Sequence, residues 1–270
     1  MNDKISVIMG VYNTKDKKLL RKSIESILKQ TYSNYEFIIC NDCSSDIEVE
    51  KILNEYKEKD NRIVIINNKN NMGLAASLNE CIKISKGEYI ARQDDDDISY
   101  PTRFKEEIDF LKNNNQYDIV GCRMEKFDDN GIWDITNPKE KPSKKDFLKG
   151  TQFSHPTIII TKKCLQAVNG YRDLKYTRRT EDYDLFMRLY AKGYKGYNLP
   201  KVLYKYNESI GAYSKRKYKY RLDEYKVRIE GFKNLELMPI GFVWAFKPLI
   251  VGLIPKRLLF KIRKKKGRVN

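Results

Sequence analysis

Four consecutive aspartates, Asp94, Asp95, Asp96 and Asp97, follow a short apolar segment that is typical of a β-strand. Neighbouring carboxylates repel one another, so a run of this kind favours a positive group close by. Two carboxylates spaced like Asp94 and Asp96 suit one hard divalent cation, Mg²⁺ or Mn²⁺, and leave coordination positions open for phosphate oxygens. A solvated acidic turn that caps the following helix is the alternative.

A second acidic pair, Glu181 and Asp182, stands at the start of a predicted helix. Carboxylates in a first turn stabilise the helix macrodipole, and Thr180 is a candidate cap, so the pair has an ordinary structural explanation. A carboxylate is also one of the side chains that act as a general base. The residues alone leave both interpretations open.

The elements around these acids alternate between strand and helix. Residues 5–120 alternate short β-rich runs with helical patterns, the order that builds a parallel sheet covered by helices. Ligands of such α/β sheets bind at the carboxyl ends of the strands, where the aspartates lie. We predict caps at Asn13-Thr14 and in the loop 41–46, and a helix end at Gly87. Strands are predicted at 5–9, 36–40, 63–66, 88–92, 118–122, 157–161 and 202–206, with later helices from Pro101 and over 181–192.

Five segments in order resemble the inverting family 2 glycosyltransferases with a GT-A fold, which assemble bacterial surface polysaccharides. They extend from residue 5 into the acidic pair, and the similarity covers about three quarters of the chain. One such motif would be weak evidence, but five in the family's order are strong. The segments are ISVIMGVYN (5–13), EFIICNDCSSD (36–46), NMGL (71–74), GEYIARQDDDD (87–97) and TEDYDL (180–185).

The resemblance implies roles in binding a nucleoside-diphosphate sugar. Asp94 matches the first aspartate of the family's DxD motif, near the ribose, and Asp96 matches the metal ligand that bridges to the diphosphate. Asp95 stands where the family often has alanine, so this extra carboxylate is a substitute candidate for the metal. The positions that match the pocket for the nucleotide base are Val11, Tyr12, Asn13 and Asp42.

The resemblance also implies how the acidic pair would act. Inverting transfer needs one base to take the proton of an acceptor hydroxyl, and no second carboxylate as nucleophile. A divalent ion, Mn²⁺ or Mg²⁺, stabilises the departing diphosphate. Asp182 is the expected base, and Glu181 is expected to orient the acceptor.

Three further residues have two interpretations each. Gly73 is a candidate donor-binding residue or a backbone device before the third helix. Arg92 either faces the donor diphosphate or pairs with the aspartate run. His155, which precedes Pro156, either lines the acceptor site or sets a turn before a strand.

Composition excludes several other classes. A single histidine and the lack of a nucleophile-elbow motif leave little room for metallohydrolase or Ser-His-Asp chemistry. The five cysteines are odd in number and follow no signal peptide, which favours a reducing cytoplasm. Cys40 and Cys43 form a CxxC without a second pair, so we interpret them as incidental thiols.

Positive charge is concentrated in the last quarter of the chain. Residues 201–270 carry 19 Lys and Arg and five Asp and Glu, out of 53 and 36 in the whole chain, whose net charge is +17. The apolar stretch 237–255 is interrupted by Pro239, Lys247 and Pro248, whereas a simple span needs about 20 apolar residues. The basic stretch 256–266 is typical of a segment on an anionic membrane surface. A helical hairpin on the core, or on a second copy in a homo-oligomer, is the alternative.

The segment 213–228 interleaves tyrosines with cations, a pattern that would suit single-stranded nucleic acid. No RNA-binding motif accompanies it, and we expect no nucleic-acid partner. The same segment could instead face a phosphate of a lipid-linked acceptor.

We therefore expect an α/β GT-A catalytic domain at 1–206, with a nucleotide-sugar half to about residue 97, and a helical basic extension at 207–270. The expected reaction moves sugar from a nucleoside diphosphate, UDP favoured, to a glycan hydroxyl on a polyprenyl diphosphate, at the inner face of the cell membrane. A sugar-1-phosphate nucleotidyltransferase is a weaker alternative, because no Gly-rich phosphate loop follows the first strand. The other alternative is a basic membrane-binding or nucleic-acid-binding module on an inactive fold.

Overall fold

The computed structural model describes residues 3–208 and 218–254. The basic segment 256–266 therefore lies outside the described residues, as do residues 213–217 of the segment that mixes tyrosines and cations. The predicted division of the chain near residue 206 stays a prediction.

The described residues contain a nine-stranded sheet in the order β3-β2-β1-β4-β8-β6-β9-β5, with β7 paired to β6. Strands β3, β2, β1 and β4 are mutually parallel, so their carboxyl ends meet at one edge. Strand β8 runs antiparallel to β4 and β6, and β9 runs parallel to β6. The strands are β1 (Ile5–Val11), β2 (Tyr35–Asn41), β3 (Ile63–Asn67), β4 (Tyr89–Arg92), β5 (Ile98–Ser99), β6 (Ile119–Asp128), β7 (Gly131–Ile135), β8 (Ile159–Thr161) and β9 (Gly196–Asn207).

Helices cover both faces of the sheet because side chains alternate along each strand. Val7 and Met9 of β1 pack in one core with α1, α2 and α4, whereas Ile8 packs in the other core with α3, α5, α6 and α7. The helices are α1 (Lys17–Leu28), α2 (Ile47–Lys59), α3 (Leu74–Ile84), α4 (Arg103–Asn113), α5 (Lys162–Ala167), α6 (Glu181–Ala191), α7 (Lys219–Asn234), α8 (Ile240–Ala245) and α9 (Lys247–Gly252). Short 3₁₀ helices span Lys144–Lys149 and His155–Thr157.

The predicted α/β alternation is confirmed, and the structure corrects several boundaries. The strand predicted at 202–206 extends over Gly196–Asn207, and the one predicted at 118–122 continues to Asp128. The strand predicted at 157–161 begins only at Ile159, because a 3₁₀ turn precedes it. The helix predicted from Pro101 begins at Arg103.

Two predicted caps are wrong. The side chain that caps α1 is Asp16, whose Oδ1 accepts from the backbone N–H groups of Lys18 at 2.9 Å and Leu19 at 3.0 Å. Helix α3 ends at Ser85, so Gly87 is not its cap. A Cβ at Gly87 would lie 2.5 Å from the carbonyl oxygen of Lys4, so close contact with the chain entering β1 explains this glycine.

The helix α7 packs against α6. A Cβ at Gly231 would lie 2.3 Å from Cε of Met187, which shows how closely the two helices approach. Arg172 pairs with the buried Asp184 of α6. Nη1 of Arg172 also lies 2.5 Å from Oε1 of Glu230 on α7. The C-terminal helices therefore form part of the described fold. Nowhere in the described ranges is a helix both long and apolar enough to span a bilayer.

The Asp16→Ala substitution should lower the free energy of unfolding by about 1 kcal/mol, because two N–H groups of α1 lose their acceptor. Urea unfolding measures the change. Asp109→Ala is the control, since it removes an exposed carboxylate whose ion pair with Lys105 contributes at most about 0.5 kcal/mol. Equal losses in the two variants would contradict the assignment of the cap.

Candidate active site

The four aspartates lie where β4 ends, beside the carboxyl ends of β1 and β2. Asp94 pairs with the guanidinium of Arg92, and its carbonyl oxygen accepts from Oγ of Ser23 at 2.7 Å. Its backbone N–H donates to the hydroxyl of Tyr204 at 3.2 Å. The start of the acidic loop is therefore fixed by contacts from three different elements.

Two buried arginines provide positive charge beneath this loop. Arg92 is 1% exposed and pairs with Asp94, which agrees with the second of the two predicted interpretations for Arg92. Arg103 is 0% exposed, pairs with Glu107 at 3.2 Å and donates from Nη2 to the carbonyl oxygen of Arg92 at 2.9 Å. The side chain of Gln93 donates to the carbonyl oxygen of Asp97 at 3.0 Å, which closes the turn.

Asp95 bonds to Thr14, whereas Asp96 and Asp97 share Asn207 as a partner. Asp95 accepts from the hydroxyl of Thr14. Asn207 donates from Nδ2 to Oδ2 of Asp96 at 3.2 Å and from its backbone N–H to Oδ1 of Asp97 at 2.7 Å. Asp95 is therefore held from the loop that follows β1, and Asp96 and Asp97 are held from the end of β9.

The acidic run is electrostatically crowded. Burial, with the charges of Asp95 and Asp94, raises the pKa of Asp96 to about 7. Burial, partly offset by the Thr14 hydrogen bond, raises the pKa of Asp95 to about 6. Asp97 is fully buried, and its pKa is raised well above the ordinary value by that burial and by Asp94 and Asp96. A cation at the open side of the loop would relieve this repulsion.

A divalent cation fits the donor set of this loop. Carboxylate oxygens are the ligands that Mg²⁺ and Mn²⁺ prefer, and Asp96 keeps an oxygen that Asn207 does not contact. Within residues 3–208 and 218–254, no three His, Cys, Asp or Glu side chains are grouped so that they would hold a metal. The arrangement matches an open site in which phosphate oxygens complete the coordination.

The second acidic pair opens α6 and lines the same cavity as Asp94. This main cavity has a volume of about 520 Å³, and its walls include Asp94, His155, Glu181 and Asp182. Burial, with the charge of Glu181, raises the pKa of Asp182 to about 7. Burial also raises the pKa of Glu181, whose Oε2 has no hydrogen-bond partner among the described residues. Thr180 precedes the helix, but its side chain donates to the carbonyl oxygen of Thr177 and makes no cap.

His155 lies in the wall of the main cavity, in a 3₁₀ turn. Its Nε2 is 2.7 Å from the hydroxyl of Tyr171. Burial, with the charge of Arg92, lowers the pKa of His155 well below its usual value, so the imidazole is neutral near pH 7. A neutral imidazole paired with a hydroxyl can orient a polar ligand without adding charge.

The residues predicted to contact the base lie at the ends of β1 and β2, outside the described lining of the main cavity. Val11 accepts from the N–H of Asp42 at 2.8 Å, and Tyr12 is exposed. Asn13 is tied to the loop before α2, since its N–H donates to Oγ of Ser44 at 3.0 Å. This contact joins the end of β1 to the loop before α2, a structural role in addition to the base contact predicted for Asn13.

Asp42 organises the loop that leads into α3. Its Oδ1 accepts from the N–H of Met72 and from Nδ2 of Asn68, both at 2.8 Å, and its Oδ2 accepts from the N–H of Gly73 at 2.8 Å. Gly73 has a φ of +92°, which favours glycine. Each carboxylate oxygen can accept two hydrogen bonds, so these three bonds fill Oδ1 and leave Oδ2 able to accept one more from a ligand.

Thr14, Tyr204 and Asn207 surround the aspartates although the sequence analysis assigned them no role at the site. Thr14 appeared only as a helix cap, and Asn207 lay one residue beyond the predicted strand. Tyr204 and Asn207 are separated from the aspartates by about a hundred residues. Only Asn207 could have been predicted from the sequence, because it is a polar residue at the end of a strand and ligands bind at strand ends.

Comparison with known proteins assigns the chain to a family. Residues 6–167 match the model described as glycosyl transferase family 2. The chain belongs to that family. The putative glycosyltransferase EpsE of Bacillus subtilis is 38% identical over 264 residues, which cover 97% of this chain and 94% of EpsE. The Escherichia coli protein WfaP, named a UDP-Glc:alpha-D-GlcNAc-diphosphoundecaprenol beta-1,3-glucosyltransferase, is 32% identical over 80% of this chain and 81% of its own.

Solved structures support the same fold for this family 2 glycosyltransferase. Residues 1–349 of S. aureus TarS, in complex with UDP-GlcNAc, match with a TM-score of 0.71 and 18% identity, over 90% of this chain and 73% of that one. The mannosyltransferase PcManGT from Pyrobaculum calidifontis, in complex with GDP-Man and Mn²⁺, matches with a TM-score of 0.61 and 15% identity, over 96% and 78%. The chain has a GT-A-like fold and is a glycosyltransferase, which sets aside the nucleotidyltransferase and inactive-module alternatives.

The raised pKa of Asp182 predicts a pH-dependent loss of stability that the Asp182→Asn substitution removes. Because the folded protein binds this proton more tightly, wild-type stability falls as pH rises from about 4 to about 7, by at most about 1.4 kcal/mol per pH unit for one proton. The stability of Asp182→Asn relative to wild type should therefore rise over that window and level off above it. Urea unfolding at several pH values measures this difference.

Asp109→Asn, at an exposed carboxylate of α4, is the matched control and should keep a constant offset from wild type over the same pH range. A constant offset for Asp182→Asn as well would show that Asp182 titrates at its ordinary pKa.

Proposed function

We propose that this glycosyltransferase moves a sugar from a nucleoside diphosphate to a hydroxyl of a lipid-linked glycan, with inversion at the anomeric carbon. The observation that carries the proposal is the main cavity, whose wall contains both Asp94 of the acidic loop and Asp182 of α6. A donor held at the first group and an acceptor held at the second would meet inside it.

Asp182 is the proposed general base. It takes the proton from the acceptor hydroxyl as that oxygen forms a bond to the anomeric carbon, while the bond from this carbon to the diphosphate oxygen breaks. One displacement of this kind inverts the anomeric centre and needs no carboxylate nucleophile. A base whose pKa lies near 7 is well matched to this proton transfer near neutral pH.

The neighbours of Asp182 have supporting roles. Glu181 begins the same helix turn and lines the main cavity, so we propose that it orients the acceptor sugar. His155, neutral and paired with Tyr171, lines the acceptor side in our proposal.

On the donor side, Asp94 lies near the ribose, and Asp96, with Asp95 as substitute, would hold Mn²⁺ or Mg²⁺. When bound, the cation neutralises charge on the leaving diphosphate. Arg92 keeps Asp94 in place from below. PcManGT, whose solved structure contains Mn²⁺, supports the choice of a divalent metal.

We propose UDP as the nucleotide of the donor. The name of WfaP specifies UDP-Glc, and TarS was solved with UDP-GlcNAc. Asp42 keeps one acceptor lone pair at the end of β2, which suits the imide N–H of uracil. Val11, Tyr12, Asn13 and Gly73 surround this position at the same sheet edge in our proposal.

We propose a polyprenyl diphosphate as the carrier of the acceptor glycan, and surface polysaccharide synthesis as the process. The name of WfaP specifies an acceptor on diphosphoundecaprenol. An acceptor of this kind is anchored in a membrane, so the enzyme must work at a membrane surface.

The last two helices offer a surface for membrane contact, on the inner face of the cell membrane in our proposal. Val243 of α8 is 71% exposed, and Ile250 and Leu253 at α9 are 65% and 74% exposed. The basic sequence 256–266 follows directly, and each of its cations would contribute about 1 kcal/mol at an anionic surface. Exposed apolar side chains beside a basic segment are typical of an interfacial anchor. We therefore propose that this surface contacts an anionic lipid bilayer.

Nucleotide binding tests the roles of the two acidic groups separately. Calorimetry should detect UDP binding to wild type that depends on Mn²⁺. Asp96→Asn should weaken it by about tenfold or more, because it removes a charged metal ligand. Asp182→Asn should bind UDP as wild type does, because its proposed partner is the acceptor.

Asp109→Asn, remote from the loop, is the control for the change of charge. If UDP does not bind the folded wild-type protein with or without Mn²⁺, the proposed donor is wrong. Loss of binding in Asp182→Asn alone would reverse the proposed division of roles.

Vesicle flotation tests the membrane surface. The triple variant Val243→Asp, Ile250→Asp and Leu253→Asp should float less with phosphatidylglycerol vesicles than wild type, because three carboxylates would meet an anionic, apolar interface. Ile47→Asp is the matched control, since Ile47 on α2 is 68% exposed and remote from these helices. Unchanged flotation of the triple variant would contradict the proposed anchor.

A further inference from the structure

A second cavity, of about 310 Å³, adjoins the main cavity on the side of Asp182. Its wall combines the end of the first 3₁₀ helix, the start of α6, the helix α7 and the start of α9. The two cavities share six residues in their walls, Thr151, Arg179, Thr180, Asp182, Arg221 and Glu224, whereas Asp94 and His155 line only the main cavity. The second cavity therefore lies beyond Asp182, away from the proposed donor site.

The wall of this cavity is strongly basic. Asp182 and Glu224 are its carboxylates, and its cations are Lys149, Arg179, Arg221, Arg228 and Lys247. We call it the basic pocket. Five cations against two carboxylates in one small cavity favour an anionic ligand. Its volume is at the lower end of the range of about 300 to 1,000 Å³ for small-molecule sites.

Some of these cations hold the pocket together. Glu224 accepts from Arg221 at 3.1 Å and from Arg228 at 3.0 Å. Arg228 is buried and also donates to the carbonyl oxygen of Leu148 at 3.2 Å, which ties α7 to the first 3₁₀ helix. The one carboxylate from α7 is thus already used by two arginines.

Other cations remain available for a ligand. Lys149 and Arg179 are exposed, and neither side chain has a hydrogen bond or ion pair to any of residues 3–208 and 218–254. Arg179 has a φ of +72°, an uncommon conformation for a residue with a side chain. Residues held in this conformation cluster at ligand sites. The amino end of α6 adds positive potential at the same place.

We propose that the basic pocket binds the diphosphate of the lipid-linked acceptor. The inference rests on the proposed function, and it adds the residues that would recognise the carrier. A diphosphate held by Lys149 and Arg179 would place the sugar attached to it next to Asp182. The pocket also borders α9 through Pro248 and Val251, so the lipid could leave along the exposed apolar side chains of that helix.

The donor diphosphate does not explain this pocket. In the proposed function the donor diphosphate lies at Asp94 and Asp96, and Asp94 is not part of the pocket wall. The pocket therefore suits a second anion, and the acceptor supplies one. A phosphate of an ordinary membrane lipid shares this chemistry, so the experiment must separate the two sources.

Inorganic pyrophosphate in EDTA is the first probe, because chelation removes any contribution from a metal at the acidic loop. Calorimetry should detect binding to wild type and a loss of about tenfold or more in the double variant Lys149→Gln and Arg179→Gln, since two charge-assisted contacts disappear. The double variant Lys29→Gln and Lys83→Gln should bind as wild type does, because Lys29, which follows α1, and Lys83 of α3 are exposed lysines outside the pocket. Thermal unfolding checks that the variants are folded.

Vesicles separate the two sources of phosphate. Wild type should float better with phosphatidylcholine vesicles that contain undecaprenyl diphosphate than with vesicles that contain the same fraction of phosphatidylglycerol. Lys149→Gln with Arg179→Gln should abolish that preference. An equal loss on both vesicle types would assign the pocket to ordinary headgroups, and unchanged pyrophosphate binding would overturn the site. Binding of UDP with Mn²⁺ by wild type tests the proposed function independently of both results.

Discussion

Four adjacent carboxylates at the end of a buried strand repel one another, and side chains from several neighbouring segments hold them in place. Arg92 and Arg103 are both buried beneath the loop, and each would be costly to bury without the acids that they face. Thr14 and Asn207 bind the carboxylates from two other elements. The negative charge that these contacts leave on the loop would be neutralised by a divalent cation, which would in turn bind a diphosphate.

The sheet order makes this arrangement possible. Strand β4 lies between β1 and β8. The acidic loop at its end therefore has the strand ends proposed for the nucleotide on one side and the turn that carries His155 on the other. Helix α6 then brings Asp182 into the same cavity, and α7 closes the far side of it through its contact with α6. Donor and acceptor chemistry are thus proposed for two acidic groups in the wall of one cavity. Helix α7 lines the main cavity and α9 lines the adjoining basic pocket, which links the proposed membrane contact to the proposed reaction.

Sequence patterns predicted the elements whose signals are local. The apolar runs of β1, β2 and β4 and the acidic start of α6 were clear because burial and helix capping act within a few residues. Partners separated by long stretches of chain were not predictable in this way. Tyr204 and Asn207 reach the aspartates only through the pairing of β9 with β5, and the basic pocket joins residues from four separate segments. The sequence did not indicate Asp16 as the cap because Asn13 and Thr14 have equally suitable side chains, which in the structure bond to Asp46 and Asp95 instead.

The central claim is that the acidic loop and Asp182 serve one reaction in one cavity. Anomalous diffraction from crystals grown with UDP and Mn²⁺ tests it most directly, because the metal is located independently of the protein atoms. We expect a manganese peak at the carboxylate of Asp96 or Asp95, with the diphosphate of UDP beside it in the main cavity and facing Asp182. A manganese ion bound elsewhere, or a UDP diphosphate bound outside this cavity, would contradict it.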